Sequence, residues 1–177
     1  MTPSVETYSL GARILHWLTA IIVLAAIPAG YLMDHLDEGP LADTLYDLHR
    51  SLGATLILVV ILSLVWRLAH APPPLPADMG PIEKFAARGV HWALYVLVLA
   101  QPIVGWIASS AYPSPVRVFW LFDLPSIWPE DRAFSERLFH AHHLIGYAIA
   151  VLVCIHIAAA LFHRFVRRDA ILRRMWA

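Results

Sequence analysis

Four stretches of this chain, residues 14–33, 51–66, 89–116 and 138–163, contain no charged side chain. A helix needs about 20 apolar residues to cross ~30 Å of hydrocarbon, and a lipid-exposed chain must satisfy its backbone internally. The second stretch is short, so its span is extended to 45–69, with Asp47 and Arg50 at one interface and Arg67 at the other. The prediction is a single 1–177 domain with spans at about 12–33, 45–69, 87–110 and 138–164. Only 15% of the residues are charged, against about a quarter in a soluble domain. The first stretch has the length of a signal peptide but lacks a basic leader, carries His16 and Trp17, and meets Asp34 without a convincing cleavage site. It is read as a mature helix.

Formal net charge is zero, yet the charges are segregated. Arg13, Arg67, Lys84, Arg88, Arg164, Arg167, Arg168, Arg173 and Arg174 flank the N-terminus, the middle loop and the C-terminus, which share one side of a four-span chain. The other side holds Asp34, Asp37, Glu38, Asp43, Asp47, Asp123, Glu130, Asp131 and Glu136 against Arg50, Arg117, Arg132 and Arg137. Basic residues stay inside, so both termini are expected in the cytoplasm. The basic tail HRFVRRDAILRRMW reads as a topology anchor that touches anionic lipid, not as a nucleic-acid contact.

The proline-rich HAPPPLPADMGP is a stiff link between spans two and three. The outer loop from 111 to 136, with Trp120, Phe122, Trp128 and four prolines, is too aromatic to be disordered and is expected on the membrane face. Pro28 and Pro102 sit inside spans one and three, where each removes a backbone donor and kinks its helix. The fold class is an all-α, integral membrane four-helix up-and-down bundle whose centre is open to a cofactor.

The histidines say what that centre holds. His35, His70 and His140 fall at helix ends and read as interfacial. His16, His49, His142 and His156 fall inside or at the lip of spans, where an unpartnered polar group costs roughly 2–7 kcal/mol and no span interior offers an acid. His142 and His156 are 14 residues apart, hence about 21 Å along one helix and on nearly the same face. His16 enters from the cytoplasm at the level of His156, and His49 from outside at the level of His142. Two facing imidazoles at each of two depths are the axial ligands of two six-coordinate b-type haems. With one cysteine, Cys154, and no C-x-x-C-H sequence, attachment is non-covalent.

Each of these four histidines is followed at i+4 by a small residue, Ala20, Gly53, Gly146 or Ala160, which leaves room for a flat macrocycle. His91, followed by Tyr95, is the rival for the inner iron, or packs beneath the inner haem. His163, seven residues past His156, suits a propionate or a quinone, and Arg13 and Arg50 offer planar forks to propionates.

The segments RILHWLTA, LHRSLG, HWALYVLVLAQPIVGW and HHLIGYAIAVLVCIHIAAALFH, in that order over nearly the whole length, resemble the bacterial cytochrome b561 family of small dihaem membrane proteins. The resemblance implies ligand pairs His16 with His156 and His49 with His142. His143 stands where the family often has an acid, which leaves either of the adjacent histidines open to iron. It implies an oxidoreductase of superoxide oxidase type, with superoxide as outer donor and ubiquinone as acceptor.

With both axial positions filled, only outer-sphere electron transfer is open to such haems. The acidic outer side runs against superoxide, because an anion is steered by positive potential. It would suit a basic redox partner, as for a cytochrome b subunit serving a hydrogenase, a dehydrogenase or a soluble cytochrome. A metal or proton transporter is the third reading, disfavoured by the absence of carboxylates within the spans.

Overall fold

The computed structural model describes residues 6–76 and 79–176. Four long helices dominate: α1 Leu10–His35, α2 Pro40–Ala69, α3 Pro81–Ala111 and α4 Arg132–Phe162. All four are long and apolar enough to cross a membrane. Each starts with local chemistry for its orphan N–H groups. Ser9 Oγ accepts from Ala12 N at 3.4 Å and Asp131 from Phe134 N at 2.9 Å. Pro40 and Pro81 open α2 and α3, and Glu83 accepts from Gly80 N at 3.1 Å. The helices run past the uncharged stretches: α2, at 30 residues, is about 45 Å long and carries Asp43 and Asp47 in its outer turns.

Helix α1 packs mainly on α2, and α3 on α4, with α2 and α3 joining the two pairs. By contrast, α4 makes little close backbone approach to α1 or α2. The buried cluster is small, formed by Ile22 and Val23 of α1, Leu56, Val59 and Val60 of α2, Val98 of α3 and Ile149 of α4. Ile149 is midway between His142 and His156, so this cluster is one apolar layer between two polar levels. Leu58, Leu62, Val65, Val96 and Val151 face outward, as expected where lipid is the solvent.

The outer loop forms a short antiparallel hairpin, β1 Val116–Val118 and β2 Phe122–Leu124, with Val118 opposite Phe122. Its turn puts Phe119 at φ 46° and Trp120 at φ 61°, and Leu121 N donates to Val118 O at 2.9 Å. Two consecutive positive φ values belong to a primed β-turn, whose central positions ordinarily take Asn or Gly. The fully buried Ser51 hydroxyl pins this turn to α2, accepting from Phe119 N at 2.7 Å and donating to Asp47 O at 2.6 Å. The other end of the chain closes with a π-helical turn His163–Arg167 and a last turn, α5 Arg173–Trp176, folded back on α1.

Candidate functional site

The imidazoles of His49 on α2 and His142 on α4 face each other with ring centroids 6.0 Å apart. Those of His16 on α1 and His156 on α4 are 6.1 Å apart. Two imidazole nitrogens each about 2.0 Å from one metal put ring centroids roughly 6 Å apart, so both spacings admit an ion between the rings. The helices that carry each pair are the ones that do not pack closely on one another. Among the described residues no group of three or more His, Cys, Asp or Glu is disposed to hold a metal ion by itself. Two opposed donors suit a group that brings its own equatorial ligands, as a porphyrin does.

The outer pair sits in a cavity of about 800 Å³, within the 300–1,000 Å³ usual for cofactor sites. His49, Arg50, Gly53, Gly105, Trp106, His142 and His143 line it, and Asp34, Asp43, Asp47 and Arg117 stand at the same cavity. His49 Nδ1 lies 2.9 Å from Ala26 O, and His142 Nδ1 lies 3.1 Å from Gln101 O. A carbonyl only accepts, so each Nδ1 is the protonated nitrogen and Nε2 is free for a metal.

Two glycines on the facing helices seat these rings. A Cβ at Gly30 would meet the His49 ring at 2.8 Å, and one at Gly105 the His142 ring at 2.9 Å. Real Cβ contacts are essentially never so close, so a side chain at either position would displace the imidazole from where it stands. Gln101 closes the arrangement, its amide donating to His142 O at 2.8 Å. Sequence reasoning overlooked Gly30, Gly105 and Gln101. The available signal was a glycine two or three residues after the proline of a span, at Pro28 and Pro102. Gly53 and Gly146, read as clearance for the macrocycle, also serve packing: a Cβ would meet Pro102 at 3.6 Å and the Gln101 amide at 3.2 Å.

At the inner level a third imidazole joins the pair, with the His91 ring 5.2 Å from His156. His91 Nδ1 bonds its own helix at Ala87 O, 2.6 Å. The Nε of Arg13 is buried without a partner, an orphan donor at the level of His16. Trp17 stands 5.4 Å from His16 and donates to Met175 O at 2.9 Å, which brings the tail over this end. His163 is engaged by Asp169 and so is tied into the tail. At the outer mouth, His143 pairs with Asp34 at 3.0 Å while its neighbour His142 faces His49.

Arg50 lies over Tyr46 and bonds Ser114 Oγ at 2.9 Å and Pro115 O at 3.1 Å. Of the four outer arginines, Arg50 and Arg117 reach the cavity. Arg132 and Arg137 instead stack on Tyr112 and Phe134. Among the expected interfacial histidines, His35 and His70 bond the carbonyl one turn back on their own helices, and His140 is exposed.

Residues 7–177 match the sequence model described as prokaryotic cytochrome b561. The chain belongs to that family. It is 34% identical to "Cytochrome b561 homolog 2" of Escherichia coli (strain K12), over 98% of this chain and 93% of that protein. It is 28% identical to "Cytochrome b561 homolog 1" of the same organism, over 91% and 92%. It is 24% identical to the "Probable superoxide oxidase CybB" of Yersinia pestis, over 91% and 90%. Family membership makes this a bacterial membrane electron-transfer protein built as a b-type haem-binding helical bundle. The residues present fit that group, in ring spacing, in the two glycine seats and in the unpartnered Arg13 donor.

Proposed function

We propose that this cytochrome b561 is a dihaem wire that takes single electrons from superoxide at its outer face and delivers them to ubiquinone. His49 with His142 would hold the outer haem, and His16 with His156 the inner one. Arg13 and Arg50 would serve propionates. His163, bound to Asp169, would stay in the inner wall near a quinone. The whole chain acts as one domain, with both termini in the cytoplasm.

When bound, haem supplies one-electron outer-sphere transfer. His16, His49, His142 and His156 would serve as the iron ligands and would leave no site there for a substrate to bind. Two superoxide ions each release one electron and become dioxygen. One ubiquinone takes the two electrons with two protons and becomes the quinol.

The observation that carries the reading is the meeting of His49 with His142 and of His16 with His156 at two levels, each across helices that otherwise stay apart, with His91 beside the inner pair. Arg50 at the outer cavity supplies local positive charge for an anion, while Arg117, also at the cavity, is paired with Asp123. The relative called probable superoxide oxidase supports the donor. Two measurements test this: haem per chain in the purified protein, and absorbance of the oxidised protein mixed with superoxide. Two b-type haems that become reduced by superoxide, with quinol formed when ubiquinone is present, are expected. Oxidised haems that superoxide leaves unchanged would remove the donor.

A second reading keeps the wire and changes the donor to a basic redox protein. Asp34, Asp43 and Asp47 at the cavity favour it, since they repel an anion and attract a cationic surface. Co-purification with a redox protein in mild detergent, and reduction by it that weakens with salt, distinguish it.

A further inference from the structure

The two histidine pairs are not held alike. Both outer imidazoles donate from Nδ1 to a backbone carbonyl, His49 to Ala26 and His142 to Gln101. The acceptors lie two residues before Pro28 and one before Pro102, and each lies four residues before the glycine that seats the ring, Gly30 or Gly105. A carbonyl oxygen has two lone pairs and so can serve its helix and an imidazole together. The same device therefore occurs twice, once on α1 and once on α3. Among the described residues, His16 and His156 have no hydrogen-bond partner at all; the rings around them, Trp17 and His91, meet them edge to face.

A ligand imidazole that donates its second N–H becomes more basic, and a more basic donor favours the more positive oxidation state of the iron. We propose that Ala26, Gly30, Gln101 and Gly105 position the outer histidines so that the outer haem has a lower reduction potential than the inner one. The proposal rests on the two-haem reading above. It gives the wire a direction, because an electron received at the outer level then runs downhill to the inner level. In each such step the outer iron is oxidised by one electron and the inner iron reduced by one.

Gln101 has a particular place in this device. Its carbonyl accepts from the His142 ring while its side-chain amide donates to the His142 carbonyl, 2.8 Å away. Its Oε1 is buried without a partner. An unsatisfied buried acceptor is unfavourable, yet the side chain keeps this arrangement while its amide holds the turn that carries His142. Gln101 is thus a positioning residue that acts through His142.

The test begins with redox titration of single-haem variants, because they assign each potential to its site. His49→Ala or His142→Ala leaves the inner haem, and His16→Ala or His156→Ala leaves the outer. The outer haem is expected to titrate at the lower potential. Gly30→Ala and Gly105→Ala, which push a methyl against the rings, are expected to raise the outer potential or release that haem, with the inner potential unmoved. Gln101→Leu, which keeps the carbonyl and drops the amide, is expected to change the low-temperature EPR signal of the outer ferric haem alone. An outer potential at or above the inner one overturns the proposal, as does an outer haem indifferent to all three substitutions. Protein that binds no haem would sink the two-haem reading itself, a separate result.

Discussion

The indole of Trp17 donates to the carbonyl of Met175 at 2.9 Å, and its ring meets Trp176 edge to face at 5.2 Å. The neighbour of an inner histidine is thereby fastened to the last turn of the chain. Tyr8 N adds a bond to Arg174 O at 3.1 Å, and Arg174 reaches Pro74 O at 2.6 Å. The tail covers the inner end through a few polar bonds and one aromatic contact.

Trp17→Phe keeps most of the ring and removes the donor. Loss of a part-buried hydrogen bond of this kind costs about 1 kcal/mol. Amides of residues 171–176 should exchange roughly fivefold faster, while haem content stays at the wild-type level. Unchanged exchange would mean that aromatic stacking alone fixes the tail.

At the opposite face, Ser51→Ala leaves the Phe119 N–H without an acceptor beneath a turn that already holds two bulky residues at positive φ. An unsatisfied buried donor costs about 1–3 kcal/mol. The variant should melt at lower temperature, with faster amide exchange confined to residues 116–124. Adding Trp120→Gly, which relieves the left-handed backbone, should restore about 1 kcal/mol. If the double variant melts no higher than Ser51→Ala, the turn stores no strain of that size.

The bundle was legible because a bilayer leaves a chain few choices: long uncharged stretches must be helices, and the histidine spacings fixed two levels. The family match and the four apolar helices bear out the helical membrane class and the cytochrome b561 resemblance. What the sequence hid is local and three-dimensional. Phe119 and Trp120 form a turn that no Asn-Gly signal announces, held by a serine 68 residues away. Gly30 and Gly105 look like ordinary small residues of membrane helices until the facing rings are placed on them. The mixed charge at the outer cavity was hidden too, because loop totals do not say that Arg50 and Arg117 point there while Arg132 and Arg137 lie on aromatic rings.

Acid should loosen the tail through Asp169, which lies beyond the last span. Burial works against its charge, but the Ile171 N–H and the His163 ring outweigh it and hold the carboxyl below its ordinary value. A depressed folded pKa contributes stability above the unfolded value, and that contribution fades as pH falls through the folded one. Exchange at residues 171–176, corrected for intrinsic rates, should therefore be near constant from pH 7 to 5 and speed up below about pH 4. Asp169→Asn should exchange faster throughout and lose this extra acid sensitivity.

The ligand assignment makes the sharpest forecast, since the four histidines should behave as two couples. Replacing His49 or His142 by alanine should each halve haem per chain and remove the same spectral component. Replacing His16 or His156 should each remove the other component. His143→Ala should keep both haems, because His143 engages Asp34 while His142 faces His49. His91→Ala is the discriminating variant at the inner level, where three rings lie close together. Full haem content there, with at most a small shift of the inner band, fits a ring that packs beside the ligand. Loss of the inner haem in His91→Ala with full retention in His16→Ala would make His91 the partner of His156, and α3 in place of α1 the second inner ligand helix.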